Sequence, residues 1–331
     1  MTITAAPSVE EVRRARDHRW PRFILRRSGR LVASLWVLLT ASFLMIHAMP
    51  GDPVRGSLGP TASAELVATR REALGLDNPL LQQYWDYFTS VLTGNLGVSF
   101  GSNLPVAQTI AQRLPATASL AFLAFAVAIV ISIPVGVAIA VRTRRGRGRG
   151  LELGFASSSV FISAIPDFLL GVALVSVFGV TLGWFPIAGR SGPDSYVLPV
   201  LALALGPAAV LARIVRVEML NVLDADFVRT ARAKRLPARR IYLSHALPNA
   251  TTATLTLAGL LLGSLVIGTV LVENVFAWPG LGSTIVQAIQ TKDYPLVQGT
   301  VLVYGAGVLV INTIVDGILA GLDPRTTVAE S

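Results

Sequence analysis

The sequence predicts an all-α protein that crosses a membrane six times. Hydrophobic residues make up 53% of its 331 residues and charged residues only 14%, against about 25% in an ordinary soluble domain. Six apolar stretches are long enough to cross a bilayer, which takes about 20 residues of helix. The basic residues are concentrated in alternate connecting segments, as expected for a multi-pass membrane protein.

The composition also excludes several kinds of site. The chain has no cysteine, which rules out disulfides, iron–sulfur clusters and thiol catalysis. Its three histidines, His18, His47 and His245, lack the spacing of metal ligands, so we expect no metal site. The net charge of +9 is compatible with nucleic-acid binding, but the spread of basic residues over several loops favours membrane topology, so no nucleic-acid partner is expected.

The predicted spans are separated by connections of unequal length. They cover residues 31–48, 116–141, 154–182, 197–214, 250–272 and 296–319. Pro134, Pro166 and Pro207 interrupt the second, third and fourth spans, and membrane helices tolerate such kinks where neighbours satisfy the freed backbone groups. Gly259 and Gly263 in the fifth span predict close packing against another helix.

The charge distribution places both termini in the cytoplasm. Residues 1–30, 142–152, 213–249 and 323–331 together hold 22 of the 28 Lys and Arg residues. Because cytoplasmic segments carry such an excess, these four segments are predicted to be cytoplasmic and residues 49–113 to lie outside.

The outer segment contains two predicted helices, at residues 61–74 and 79–92. Apolar and aromatic side chains recur on one side of the second helix, namely Leu80, Leu81, Tyr84, Trp85, Phe88, Val91 and Leu92. Such a face either lies in the outer membrane interface or packs against the spans, and the pattern is compatible with both.

A short amphipathic helix is predicted in the basic segment between the fourth and fifth spans. Asp224 or Asp226 can cap its start, the helix runs to about Arg235, and Pro237 suits the first turn of a second helix. Held between two spans, the helix would protrude into the cytoplasm and receive force from a partner. The alternative is a basic loop that only satisfies the positive-inside rule.

One face of this short helix is predicted to dock on the partner. Phe227 and Ala231 are four residues apart and would share an apolar face. Arg232 and Arg235 would offer positive charge to the rim of the contact.

The same loop resembles the EAA loop of ABC importer permeases, in particular the branch that transports peptides and nickel. The likeness rests on Asp-Phe-Val-Arg-Thr-Ala-Arg-Ala-Lys at 226–234 and His-Ala-Leu-Pro-Asn-Ala at 245–250. Further stretches match in the same order, at residues 44–53, 74–84, 94–99, 105–117, 273–282, 293–299, 312–316 and 322–325. Together they resemble the first of the two permeases of such transporters.

Two positions depart from the family's pattern. Arg235 follows the Ala-Lys pair where the family usually has Gly, and Asn95 stands where it usually has Asp. A glycine permits a turn with positive φ. We therefore expect Arg235 to use another turn geometry, helped by Pro237.

The resemblance implies a type I ABC importer transmembrane domain in a bacterial plasma membrane, with a five-span core over residues 114–322. It also implies a second homologous permease, two cytoplasmic ATPases that each grip one coupling helix, and an extracytoplasmic substrate-binding protein. The chain has no Walker A motif, so we expect no catalysis and no cofactor here, with ATP and Mg bound by the ATPases. The residues implied to contact the ATPase are Asp226, Phe227, Arg229, Thr230, Ala231, Arg232, Lys234 and Arg235.

Polar residues within the spans are candidates for the translocation path, since a charge at mid-helix costs about 2.5–3.5 kcal/mol and usually faces the bundle interior. Asp167, Asn312 and Asp316 are these candidates. For Asp316, a structural carboxylate bonded to an Arg or to backbone is the favoured interpretation. Glu273 and Trp278 are candidates for an outer gate, with an exposed loop carboxylate as the alternative for Glu273.

The leading functional prediction is the permease of a peptide importer, which forms half of the translocation pathway. Nickel, glutathione or another small solute is the alternative within the same family. A stand-alone channel or ion-coupled carrier would explain six spans but not the short helix between spans four and five. A membrane enzyme would need a paired catalytic constellation, which the sparse histidines and intramembrane acids do not supply.

Overall fold

A computed structural model describes residues 19–48, 54–55, 62–73 and 75–322. Every regular element in these ranges is a helix. Five helices are long and apolar enough to cross a membrane, and a bent pair of helices supplies the sixth span if the pair is counted as one. The predicted all-α membrane fold is therefore confirmed, with one of its spans broken.

The described helices are numbered in chain order. They are α1 Arg19–Ala48, α2 Ala64–Ala73, α3 Leu80–Leu92, α4 Val106–Thr143, α5 Arg149–Ala164, α6 Asp167–Leu174, α7 Val197–Leu223, α8 Asp226–Ala233, α9 Ala238–Arg240, α10 Leu247–Val275, α11 Leu281–Gln290 and α12 Tyr294–Leu322. Wider π-helical turns extend α6 over Val175–Thr181 and join α9 to α10 over Ile241–Ala246.

Two helices begin well before the apolar stretches that predicted them. The helix α1 begins at Arg19 rather than 31, and α4 begins at Val106 rather than 116. The first turns of α4 bury Val106 and Ile110 and also carry the polar residues Gln108, Thr109, Gln112 and Arg113. Hydropathy detects only the part of a helix that is apolar all round, so these amphipathic first turns were missed.

The third predicted span is broken rather than kinked. The helix α5 and the helical run over Asp167–Thr181 meet at 97°. Pro166 stands at the junction, and Ile165 before it is extended, with ψ of 124°. A proline disfavours helical backbone in the residue that precedes it, which accounts for the break at this point.

The helix α7 lies at the centre of the bundle. Together with the turn before it, this span is the most buried of the five continuous ones, although Pro207 lies inside it. Its core side chains pack with those of α4 and α10 in one cluster. At Gly136 of α4, an added Cβ would lie 2.6 Å from Val215 Cβ of α7, so these two helices approach as closely as a glycine allows.

The glycine pair of α10 packs as predicted. A Cβ added at Gly259 would overlap Val315 of α12, and one added at Gly263 would overlap the side chain of Asn312. Small residues at such positions let two membrane helices approach closely. The prediction of close helix packing at this pair is confirmed.

The sequence left two environments open for the apolar face of α3, and the structure divides its side chains between them. On one side, the Tyr84 hydroxyl lies 2.9 Å from Thr40 Oγ1 of α1, and its ring meets Phe43 edge-on at 5.3 Å. Burial raises the pKa of Tyr87, whose hydroxyl donates to Ser42 of α1. Trp85 is exposed on the opposite side. One side of α3 therefore packs on a span, and the other is free to contact the membrane interface.

The length of α7 separates two ends of the bundle. Its 27 residues correspond to about 40 Å of helix. The short helix α8 follows α7 directly at one end, which we call the α8 end. The chain around Arg190 precedes α7, and we call this the opposite end.

Candidate functional site

The helix α8 begins without the predicted side-chain cap. Its N-cap residue is Ala225, whose side chain makes no capping bond. Asp224 instead accepts a bond of 2.6 Å from Arg144 Nη2, which the end of α4 brings to this loop. Asp226 lies in the first turn and accepts from Arg229 at 3.1 Å. The capping prediction is wrong because an ionic hydrogen bond to Arg144 takes the Asp224 carboxylate.

The inward face of α8 differs from the predicted one. Val228 and Ala231 are buried in a cluster that includes Met219 of α7 and Ala250 of α10. Phe227 is not part of this cluster and is 45% exposed. The prediction that Phe227 and Ala231 share a docking face is therefore wrong, since Ala231 packs within its own subunit.

Most of the predicted contact residues nevertheless lie on the surface. The exposed ones are Asp226, Phe227, Arg229, Thr230, Lys234 and Arg235. Arg232 is half-buried and Ala231 is buried. Aromatic and Arg side chains are enriched in the hot spots of protein interfaces, and the rim of such an interface is polar.

Arg235 adopts the conformation that a glycine would take. Its φ is +54°, its N–H donates to Arg232 O at 2.8 Å, and the N–H of Leu236 donates to Ala231 O at 3.3 Å. These two bonds form a Schellman motif that ends α8. The expectation of another turn geometry is wrong, because the helix end imposes the positive φ on whichever residue stands there.

Arg235→Gly is expected to stabilise the loop and to preserve transport. A left-handed non-glycine residue costs about 1 kcal/mol, and glycine removes this cost. Thermal unfolding of the assembled transporter should move to slightly higher temperature, with unchanged uptake. Arg229→Gly inside α8 is the matched control and should destabilise by about 1 kcal/mol. Lost transport in Arg235→Gly alone would instead show that the Arg235 side chain makes a specific contact.

Two of the three candidate path residues lie in helix–helix contacts of α12. Asp316 forms an ion pair with Arg27 of α1, which agrees with the structural interpretation of this carboxylate. Asn312 packs against Gly263 of α10. The sequence placed these two residues on one face of α12, and the structure assigns them to two different neighbouring helices.

Asp167 has a different environment from that of Asp316. It is the first residue of α6, directly after the break, and its carboxylate oxygens lie beside Gly206 of α7 and Gly268 of α10. It borders a cavity of about 380 Å³. Within the described residues its carboxylate has no ion pair. A role in the path stays a prediction.

Glu273 and Trp278 are joined in a buried polar cluster at the opposite end. Glu273 is fully buried, and its carboxylate accepts from Thr117 Oγ1 at 2.6 Å and from the Ser283 N–H at 3.1 Å. Trp278 is also fully buried, and its indole N–H donates to Ala116 O at 3.1 Å. The alternative of an exposed loop carboxylate is wrong, because the chain folds back after Trp278 and α11 covers Glu273.

The sequence analysis missed one arrangement beside this cluster. Arg190 Nε donates to Tyr196 Oη at 2.7 Å. The guanidinium carbon lies 5.6 Å from the centre of the Tyr196 ring and 5.9 Å from that of Trp278. Arg190 is one of the six Lys and Arg residues that lie outside the four predicted cytoplasmic segments. Nothing local marks it, since Trp278 comes from a distant part of the chain.

Family models match both parts of the chain. Residues 132–328 match a family described as "Binding-protein-dependent transport system inner membrane component", and residues 21–121 match the N-terminal model for such components. The chain belongs to this family. It is a multi-pass, non-catalytic permease subunit of an ABC importer, as the resemblance implied, and ATP hydrolysis belongs to a separate subunit.

Individual relatives match the permease over nearly its whole length. The glutathione transport system permease protein GsiC of Escherichia coli O6:H1 is 37% identical over 302 residues, which cover 91% of this chain and 97% of that protein. GsiC of Salmonella typhimurium strain LT2 is 38% identical with the same coverage. The permease works with an ATPase, a substrate-binding protein and a second permease.

Solved structures show the same fold at lower sequence similarity. A chain of the MetNI methionine ABC transporter in an inward-facing conformation matches with a TM-score of 0.54 and 22% identity. The match covers 65% of this permease and 97% of that chain. The fold is that of a type I ABC importer transmembrane domain.

Proposed function

We propose that this permease forms half of the translocation path of an importer for short peptides. The observation that carries this proposal is the 37% identity to a glutathione permease over 91% of the chain. Glutathione is itself a small peptide with a free amino group and free carboxylates. Glutathione is therefore the first solute to test, and unmodified di- and tripeptides are the second.

We infer that the transporter contains two ATPases and one further permease. Each ATPase binds ATP and Mg and receives one coupling helix in a surface cleft. The exposed Phe227 and the surrounding basic side chains of α8 support this assignment. Asp167 is our candidate for contact with the amino group of a peptide, because its carboxylate borders a cavity between α6 and α10.

Both termini of the permease are expected to be cytoplasmic, from the distribution of basic residues. A reporter fused after Ser331 should read cytoplasmic. A reporter inserted near Ser63, before α2, should read extracytoplasmic. An extracytoplasmic C-terminus would contradict the proposed orientation and would place α8 on the wrong side for an ATPase.

The proposed function is tested with the complete transporter in proteoliposomes. The assay supplies the substrate-binding protein and ATP, and it follows uptake of labelled glutathione and of trialanine. We expect ATP-dependent uptake of at least one of them, whereas the permease purified alone should hydrolyse no ATP because it lacks a phosphate-binding loop. An active ATPase complex that imports neither solute would refute the peptide assignment while leaving the family assignment intact.

A further inference from the structure

We propose that Arg190 binds a carboxylate of the substrate at the opposite end of the bundle. This inference rests on the proposed function, since it names the part of a peptide that this end of the permease recognises. It concerns a residue that lies outside α8 and is not one of the candidate path residues Asp167, Asn312 and Asp316.

The first argument is that the guanidinium of Arg190 is held in place. Its Nε donates to Tyr196 Oη, and its guanidinium carbon lies 5.6 and 5.9 Å from the centres of two aromatic rings. Those rings are themselves fixed, since Tyr196 meets Trp278 edge-on at 4.5 Å and Trp278 is fully buried. The Ser119 hydroxyl lies 3.3 Å from the Tyr196 hydroxyl. Less side-chain freedom is therefore lost when a ligand binds.

The second argument is the positive charge of the Arg190 guanidinium. Within the described residues, no carboxylate lies within ion-pair distance of Arg190, whereas Arg27, Arg71, Arg144 and Arg216 each have one. With Nε occupied by Tyr196, the two terminal Nη groups remain for a ligand. Two parallel N–H groups match the two oxygens of a carboxylate, which makes a bidentate ionic pair.

The third argument is access. Arg190 is exposed, and it borders an open cavity of about 610 Å³ together with Leu123, Gly192, Pro193 and Tyr196. Cavities of about 300–1,000 Å³ are typical of small-molecule sites. The polar groups of this lining are the guanidinium of Arg190 and the phenol of Tyr196, and the remaining lining residues are apolar or glycine. Such a surface suits the carboxylate end of a short peptide.

The experiment compares a peptide acid with its amide in the complete transporter. The probes are trialanine and its C-terminal amide, or glutathione and its glycine amide, whichever peptide the wild type imports. Uptake is measured with the binding protein saturated by each probe, and the affinity of the free binding protein for both forms is measured separately. Retention of the binding protein by the permease complex is followed in parallel.

Arg190→Gln should lower the uptake rate of the acid about tenfold or more, because a hydrogen-bonded ionic contact is lost. Uptake of the amide should stay within about twofold of wild type. Tyr196→Phe removes the acceptor of the Nε bond and should give a smaller shift in the same direction. Lys292→Gln removes another exposed positive charge and is the matched control. It is expected to change the uptake of neither probe.

Three results would overturn the inference. One is an equal loss for acid and amide in Arg190→Gln, which would indicate a structural role. Another is weaker retention of the binding protein, which would show that Arg190 contacts an acidic side chain of that protein. The third is an Arg190→Gln transporter that takes up acid and amide in the same ratio as the wild type. A wild-type transporter that imports neither peptide acid would instead refute the proposed function, and this inference with it.

Discussion

Phe227→Ala is expected to detach the ATPase from the permease and to abolish most of the transport, with the permease still folded. The ring is 45% exposed, so its removal takes little from the core of this subunit. An aromatic anchor buried at the centre of an interface contributes about 2 kcal/mol or more, which corresponds to about thirtyfold in affinity. Co-purification of the ATPase and uptake in the same cells are the two measurements.

Two control variants separate docking from folding. Leu151→Ala removes an apolar side chain of 43% exposure on α5 and should leave ATPase retention unchanged. Val228→Ala removes a fully buried side chain of α8 and should lower the thermal stability of the permease by about 1–3 kcal/mol. Normal retention and normal uptake in a well-expressed Phe227→Ala protein would refute the docking of this helix face.

Gly282→Ala is expected to be among the most destabilising single-methyl additions in the chain. The new Cβ would lie 2.5 Å from Val270 Cα and 2.9 Å from Glu273 Oε2. A backbone atom cannot move aside as a flexible side chain can, so α11 has to shift away from α10. The shift also lengthens the bonds to the buried Glu273 carboxylate. Overpacking and weakened ionic hydrogen bonds together predict a loss of about 3 kcal/mol.

The matched control for this substitution is Gly307→Ala in α12. An added Cβ there meets nothing within 4 Å, and alanine in a helix is favoured over glycine by about 1 kcal/mol. Thermal denaturation in detergent should therefore show a much lower midpoint for Gly282→Ala and an equal or higher one for Gly307→Ala. Equal midpoints for the two variants would mean that α10 and α11 are not packed this closely.

The number of spans followed from the sequence because each span carries its own apolar stretch. The sharp break at Pro166 did not, since a proline shows where a helix is interrupted and not the angle at which the chain continues. The early start of α4 at Val106 was also hidden. Its first turns bury only one face, and only the packing against α11 and α12 shows which face that is.

The candidate site, too, could be predicted from the sequence only in part. The position of α8 followed from the local residue types, but its inward face is chosen by Met219, Ile241 and Ala250, which belong to other elements. The positive φ of Arg235 is likewise set by the hydrogen bonds that end α8, against the preference of its residue type. The partner of Glu273 in α4 lies 156 residues away, so no local pattern could reveal the buried cluster.

The burial of Val228 and Ala231 has a mechanical consequence. These side chains of α8 share one core with Ala140 of α4, Met219 of α7 and Ala250 of α10. Densely packed side chains transmit displacement with little compression. We therefore expect a displacement of α8 to move the adjoining ends of α4, α7 and α10 together. Since α4 and α10 also carry Thr117 and Glu273, we expect a displacement of α8 to be felt in the buried polar cluster at the opposite end.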